Sequence, residues 1–406
     1  MKMNSVSRAS RKHFLPSIGT FVAALSIAGF AAAPVYGQEE IVVGVVGPFS
    51  GPSAIAGQQV LDGFNLAVEH NGGLLGGRKP RLIAEDDQLK PDVGLQATNK
   101  LIERDKVDIF LGPLYSHILL ASFRAIMESK TPLISPVAGP ALIAGKQCSP
   151  YFFNTSWQND EPHEAMGRYL QDQGVKSVYL LAPNYQAGKE TLNGFKRTFK
   201  GEVTAEVYTG LSQLDFAAEI AQIRDAKPDA VYVYYPATYG INFVKQYGQS
   251  GLGAEIPLYS ASTVDEMALP AIGDVALGTY QTASWSFDLD NPSNVRFRED
   301  FLKKYDYRPT FVAAYAYDAA QLLHSALEKV KGQTRNNPEF LAALREADFS
   351  SVRGDFAFAD DQFPIQDFYL LEVQKNEAGT LIQKTLSTVV QDSVNAYVGE
   401  CTMANP

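Results

Sequence analysis

The chain has 406 residues, of which 46% are hydrophobic and 20% are charged, a composition typical of a folded globular protein and not of a disordered one. This length exceeds the roughly 100 to 150 residues of one typical domain, and it predicts two domains. With 35 Lys and Arg against 45 Asp and Glu, the formal charge of -10 argues against nucleic acid or an anionic lipid surface as a partner.

The first 37 residues have the pattern of an export signal and are set apart from the fold. Arg8, Arg11 and Lys12 form a basic start, an apolar run covers 21–30, and small residues lead to Gly37, after which we expect cleavage. The apolar run is well short of the roughly 20 residues that cross a bilayer. Removing this segment leaves 31 basic and 45 acidic residues, a charge of -14, on an exported chain.

The two cysteines, Cys148 and Cys401, are an even pair in an exported chain. An oxidising compartment favours a disulfide between them, which would fasten the C-terminus to the middle of the chain. Two separately buried thiols are the alternative, because the sequence shows no geometry.

Short apolar runs alternate with helical patterns from residue 41 onward, which predicts a parallel sheet covered by helices. The run 41–46 is nearly all apolar, as a strand buried on both faces requires. The following helix, 58–70, ends at an Asn-Gly-Gly turn. Further strands are predicted at 81–84, 107–111, 132–135 and 151–154, with helices at 91–104 and from 116.

A second α/β series follows, and it predicts a second doubly wound sheet. Because no flexible linker divides the two series, structured crossings should join them, a geometry suited to hinge closure over a cleft. Ligands of open α/β sheets bind at the carboxyl ends of strands, so the loops after the strands should hold the site. The strands are predicted at 177–181, 202–208, 230–235 and 257–260, and the helices at 188–198, 216–224, 241–250, 294–305, 309–331 and 339–346.

Common enzyme signatures are absent from the sequence: it has no G-x-S-x-G elbow, no phosphate-binding or dinucleotide-binding glycine loop, and no H-E-x-x-H or C-x-x-C pair. None of the five histidines stands at helical metal-ligand spacing to another, so we expect no metal and no cofactor. Glu85, Asp86 and Asp87 suit acid–base chemistry or cation binding, but a solvated turn explains them more simply. The sequence indicates a binding protein and not an enzyme.

Two groups of side chains are predicted to reach the cleft. Ser116 and His117 stand at the start of a helix after a strand, where free N–H groups and the helix dipole favour an anion such as a carboxylate. The alternative is that Ser116 only caps its helix. Tyr234 and Tyr235 follow another strand, and their apolar faces with polar tips suit a small planar ligand, whereas Tyr232 should pack in the sheet.

The order of motifs along the chain resembles the periplasmic substrate-binding proteins of branched-chain amino acid type ABC transporters. This resemblance implies a type I periplasmic-binding fold, in which two α/β lobes joined by three hinge crossings close on a small molecule. It implies a monomer in the periplasm that delivers its ligand to an ABC permease of the inner membrane. Lobe one is expected over 39–155 and 284–363, and lobe two over 156–283 and 364–406. The motifs are IVVGVVGPFSGP at 41–52, NGG at 71–73, GPLYS at 112–116, ISP at 134–136 and YDAA at 317–320.

The family's pocket can be carried over position by position. Ser116, preceded by Leu114, matches the serine that holds the ligand carboxylate. The next loop normally offers a backbone group and a hydroxyl, where this chain has Ala138 and Gly139. The acid that pairs with an amino acid's ammonium is replaced by Ser262. An unpaired ammonium costs several kcal/mol on desolvation, which argues against an amino acid unless a neighbouring acid, Asp265 or Glu266, takes that place.

Two further replacements predict a roomier pocket. Ala56 stands in place of an aromatic wall residue and Ala187 in place of a tyrosine, for which Tyr185 partly substitutes. Three segments also resemble a subgroup linked to aromatic acid uptake. The ligand is therefore expected to be a small aromatic carboxylate, similar to benzoate or cinnamate. These segments are 285–292, 351–354 and 363–368.

Three alternatives remain open at this point. The same fold could bind a branched-chain or other amino acid, the chain could be an exported sensor that presents its ligand to a signalling partner, or it could be a hydrolase with an unrecognised site. The predicted ligand-binding residues are Leu114, Ser116, His117, Ala138, Gly139, Tyr185, Tyr234, Tyr235 and Ser262.

Overall fold

The structure is a computed structural model that describes residues 40–330 and 334–403. The predicted export signal lies outside the described residues. Within the described part, no helix is long and apolar enough to span a bilayer.

The first sheet has five parallel strands in the order β2-β1-β3-β4-β5. Its central strands consist of buried apolar residues, which explains why the sequence pattern located them. The strands are β1 (Glu40–Gly47), β2 (Lys79–Asp86), β3 (Ile109–Leu111), β4 (Leu133–Ser135) and β5 (Phe152–Asn154), and the helices between them are α1 (Ala54–His70), α2 (Pro91–Glu103), α3 (Ser116–Glu128) and α4 (Ala141–Ala144).

The second sheet has eight strands in the order β11-β12-β10-β9-β8-β6-β7, with β13 paired to β12. Strands β6 to β10 run parallel, and β12 runs antiparallel to β10, β11 and β13. The strands are β6 (Ser177–Pro183), β7 (Glu202–Thr209), β8 (Ala230–Val233), β9 (Leu258–Ala261), β10 (Tyr280–Ala283), β11 (Ala357–Phe358), β12 (Pro364–Lys375) and β13 (Leu381–Ser393), with helices α5 (Glu161–Asp172), α6 (Gln186–Thr198), α7 (Ala217–Ala226), α8 (Thr238–Gln249) and α9 (Leu269–Ile272).

Three later helices complete the fold: α10 (Pro292–Tyr305), α11 (Phe311–Lys329) and α12 (Pro338–Glu346). Helix α11 returns to the first sheet and packs on α1, where a Cβ at Gly63 would collide with the Ala313 carbonyl. The chain therefore passes between the sheets three times: after β5, after β10 and before β11. The predicted α/β fold with two parallel-sheet lobes is confirmed, while the residue at which one lobe ends and the other begins stays a prediction.

A buried arginine joins the crossings. The Arg353 guanidinium pairs with Asp318 of α11 at 3.2 Å and donates to the carbonyls of Thr155 and Ser156 at 2.7 and 3.1 Å. It also donates to the side chain of Gln366 in β12 at 2.6 Å. These bonds replace the water that the buried guanidinium has lost. They also tie the first crossing, at Thr155 and Ser156, and the third crossing, at Arg353, to α11.

The predicted disulfide is present and joins Cys148 to Cys401, 253 positions apart in sequence. Just before it, the Tyr397 hydroxyl donates to the buried carboxylate of Asp160 at 2.7 Å and accepts from Arg197 of α6 at 2.8 Å. The segment after β13 thus connects the first crossing and α6 of the second sheet with the loop after α4.

Candidate ligand-binding site

A cavity lies where the carboxyl ends of the strands of both sheets face each other. The start of α1 and the loops after β3, β4 and β5 line one side, and the loops after β6, β8 and β9 with the start of α6 line the other. The start of α11 closes it. The cavity leaves about 80 Å³ in which the centre of a water molecule can lie. This is the location that the rule for open α/β sheets predicts.

The structure brings most of the predicted site residues together around this cavity. Three of the predicted residues, His117, Gly139 and Tyr235, lie outside its lining. The lining contains the predicted residues Leu114, Ser116, Ala138, Tyr185, Tyr234 and Ser262, together with the two alanines predicted to enlarge the pocket, Ala56 and Ala187.

Ser116 is the first residue of α3, and its side chain is buried at the cavity wall. The N-cap position belongs to Tyr115, so the alternative role of Ser116 as the helix cap is not the one in the structure. The Ser116 Oγ accepts a hydrogen bond from Asn159 Nδ2 at 2.9 Å. Because this bond uses a lone pair, the hydroxyl proton stays available to an acceptor in the cavity.

Asn159 was not predicted, although it lies in the lining. Its Oδ1 accepts from the backbone N–H of Gly139 at 3.1 Å. Gly139 was predicted to hold the ligand carboxylate, but its N–H is bonded to the Asn159 side chain instead. Its Nδ2 donates to Ser116 and, at 2.6 Å, to Glu190 of α6. Asn159 follows β5, so the rule of examining the loop after each strand could have found it.

His117 and Tyr235 lie outside the cavity lining, each held by a contact of its own. The His117 Nε2 lies 3.2 Å from the Leu89 carbonyl, and burial lowers the pKa of this imidazole. Tyr235 follows Tyr234, and successive residues of an extended segment point to opposite sides. Its hydroxyl accepts from Thr209 at 3.1 Å within the core of the second sheet.

Two neutral tyrosines form part of the wall on the side of the second sheet. The hydroxyls of Tyr185 and Tyr234 are 2.8 Å apart and hydrogen-bonded. Burial raises the pKa of Tyr234 to about 12 and that of Tyr185 above its ordinary value, so both remain phenols. The His163 ring meets Tyr234 edge-on with centroids 5.2 Å apart, and its Nδ1 is hydrogen-bonded to the Tyr232 hydroxyl. Burial lowers the pKa of His163 to about 3, which keeps it uncharged.

One acid does line the cavity. Asp265 Oδ1 accepts from the backbone N–H groups of Met267 and Ala268 at 3.0 and 2.7 Å, and desolvation raises its pKa to about 6. Glu266, the other acid considered from the sequence, is outside the lining and pairs with Arg308. The position predicted to lack an acid, Ser262, therefore has a carboxylate nearby in the same loop.

The first sheet and the start of α11 supply further aromatic surface. Trp157 lies in the lining, and its ring packs edge-on against Phe311, with the centroids 5.3 Å apart. Among residues 40–330 and 334–403, no three His, Cys, Asp or Glu side chains are grouped so that they could hold a metal ion.

Two lobes, three crossings and a cavity between facing strand ends are the arrangement of a receptor for a small molecule. A profile of the periplasmic binding protein family matches residues 40–379, and the chain belongs to this family. Its members are solute-binding proteins of ABC importers in the periplasm and are not enzymes, which confirms the resemblance drawn from the motifs.

Known relatives differ in the ligand that their names give. The Leu/Ile/Val-binding protein homolog 6 of Brucella abortus is 28% identical over 380 residues, covering 90% of this chain and 95% of the relative. A solute-binding protein of an ABC transporter from R. palustris, solved in complex with benzoate, is 30% identical with a TM-score of 0.85, covering 89% and 99% of the two chains. A second one from R. palustris, in complex with 4-hydroxybenzoate, is 28% identical with a TM-score of 0.81, covering 87% and 98%.

Proposed function

We propose that this protein binds a small aromatic carboxylate in the cavity, similar to benzoate or cinnamate, and delivers it to an ABC permease. The observation that carries the proposal is the position of Ser116, a hydroxyl donor at the start of α3, in a cavity whose walls are otherwise mainly aromatic and apolar.

The carboxylate of the ligand would lie at Ser116. Two features favour an anion there: the free hydroxyl proton, and the first N–H groups of a 13-residue helix, which have no partner within the helix. Asn159 fixes the serine oxygen, so the donor is oriented before the ligand arrives. A hydrogen bond to a charged acceptor of this kind contributes about 1.5 to 3 kcal/mol.

The ring of the ligand would pack against the neutral wall of Tyr185 and Tyr234 and against Trp157. Offset or edge-on packing of aromatic rings contributes about 0.5 to 1.5 kcal/mol beyond the buried area. Ala56 and Ala187 lie in the lining with small side chains, which leaves space that larger residues would fill.

The second candidate is an amino acid of the leucine, isoleucine and valine type. Asp265 favours it, because a carboxylate in the lining can pair with the ammonium of such a ligand. The names of the Brucella relatives agree with this alternative. The two candidates differ in the role of Asp265, which an aromatic acid without an amino group does not need.

A ligand panel tests the proposal. The protein is unfolded and refolded to remove carried-over ligand, and its melting temperature is measured with benzoate, 4-hydroxybenzoate, cinnamate, phenylacetate, leucine and valine. A ligand that binds only the folded state raises the melting temperature. We expect the aromatic acids to do so, both for the wild type and for Asp265→Asn. Stabilisation by leucine or valine that disappears in Asp265→Asn would establish the second candidate instead.

A further inference from the structure

Glu190 connects the two sides of the cleft without lying in the cavity lining. It belongs to α6, on the side of the second sheet, and only 6% of its surface is exposed. Its Oε2 accepts from Asn159 Nδ2 at 2.6 Å, and its Oε1 accepts from the backbone N–H of Ala141 at 3.2 Å. Ala141 follows β4 and belongs to the side of the first sheet, whereas Asn159 lies in the first crossing, just before α5.

We infer that Glu190 is a latch of the closed state: a positioning residue that sets how long the ligand is retained while making no contact with it. This inference rests on the proposed function for one point, that the cavity is the ligand site.

The hydrogen bonds of Asn159 explain how such a latch acts on the ligand. The amide that donates to Glu190 also donates to Ser116 and accepts from the Gly139 N–H. The latch is therefore two hydrogen bonds away from the hydroxyl that would hold a carboxylate. Moving the lobes apart would break the bond of Glu190 to Ala141, whereas its bond to Gln186 of the same helix, 2.7 Å long, can persist.

The charges around Glu190 predict how the latch depends on pH. Asp160, at the start of α5, repels its carboxylate, although Arg197 of α6 pairs with that aspartate at 2.8 Å. Tyr185 at the start of α6 is a neutral phenol, and from the α3 side His117 packs on Tyr185 and is held neutral by burial. No nearby cation therefore compensates Glu190 directly among the groups that shift its titration. Burial raises the pKa of Glu190 to about 7 from its ordinary 4.5.

The sign of the pH effect follows from this burial. When the lobes separate, water reaches Glu190 and its pKa falls back toward 4.5, so closure takes up a proton between about pH 4.5 and 7. Affinity for a ligand that closes the lobes is then highest at low pH and falls as the pH rises through 7, by at most about tenfold per pH unit. Aromatic carboxylates stay ionised above about pH 5.5, so their own titration does not contribute over the range measured.

The experiment compares wild type, Glu190→Ala, Glu190→Gln and the control Lys189→Ala, an exposed neighbour on the same helix. Association and dissociation rates are measured between pH 5.5 and 8 with benzoate as the first probe. At pH 5.5, where Glu190 is protonated and closure is favoured, we expect Glu190→Ala to weaken binding about 10-fold, mainly through faster dissociation, because the hydrogen bonds of this side chain are lost. Glu190→Gln should recover part of this loss. Both variants should show a weaker pH dependence than the wild type and Lys189→Ala, and the part that remains belongs to Asp265 of the cavity, whose pKa is about 6.

A second readout is amide hydrogen exchange of the peptide that contains Ala141, with the ligand saturating. Faster exchange in Glu190→Ala than in wild type supports the latch. Equal exchange, equal dissociation rates or an unchanged pH profile in Glu190→Ala overturns it. If benzoate does not bind but leucine does, the proposed function fails, and the same measurements with leucine still decide whether Glu190 is a latch.

Discussion

Replacing Ser116 by alanine should weaken aromatic acid binding while leaving the fold intact. The side chain is 2% exposed and contacts Asn159 through its Oγ. Removing the hydroxyl takes away one donor to the ligand carboxylate and one acceptor for the Asn159 amide. One N–H of the Asn159 amide keeps its acceptor in Glu190, while the other, at the cavity wall, loses its protein acceptor.

The magnitude follows from the chemistry of the lost bond. A hydroxyl that donates to a carboxylate contributes about 1 to 3 kcal/mol, which corresponds to a rise in Kd of about 5- to 150-fold. The start of α3 still offers its backbone N–H groups to the anion, so we expect reduced binding and not its complete loss. Isothermal titration calorimetry with the acid that stabilises the wild type most measures the change.

The same helix supplies a matched control. Ser122 is also buried in α3, its hydroxyl has no hydrogen-bond partner, and it lies outside the cavity lining. Ser122→Ala should therefore leave Kd unchanged and should not lower the melting temperature. If Ser116→Ala and Ser122→Ala have the same Kd as the wild type, Ser116 does not hold the carboxylate and the reasoning from the helix start is wrong.

Two further predictions concern stability. The double variant Cys148→Ser with Cys401→Ser removes a bond that closes a loop of 253 residues, and it should lower the free energy of unfolding by about 2 to 5 kcal/mol, measured by urea denaturation against the reduced and oxidised wild type. Burial raises the pKa of Glu161 to about 8 from its ordinary 4.5, so this group contributes stability at low pH that is lost as the pH rises through 8. Urea midpoints at about pH 6 and 8 should therefore differ less in Glu161→Gln than in the wild type, and an equal difference would show that Glu161 is already ionised in the fold.

Much of the fold could be predicted because its central strands are continuous apolar runs. The run 41–46 became β1 (Glu40–Gly47), and the eight other predicted strands overlap β2 to β9. Strand β10 was not predicted, since its sequence, Tyr-Gln-Thr-Ala, contains no apolar run. It becomes a strand because β9 and β12 pair with its two edges, and this pairing depends on distant parts of the chain.

The residues of the candidate site were likewise predicted only in part. Ser116 and Tyr234 were found because a helix start and a strand end can be recognised locally. Glu190 was missed because its importance depends on a contact with Ala141 across the cleft that no local pattern reveals, whereas Asn159 stands in the loop after a strand and could have been found. The other error concerned side-chain direction. Tyr235 was expected in the site, but its hydroxyl is bonded to Thr209 within the second sheet.

The position of Trp157 gives the protein an internal optical reporter. The chain has two tryptophans, and only Trp157 lies in the cavity lining. The other, Trp285, is buried, and its indole N–H donates to Asn294 at 2.8 Å. Emission from Trp157 should respond to an arriving ring or to the water it displaces, while Trp285 contributes a constant background. A Trp285→Phe variant would then follow ligand capture and release in real time without any attached dye.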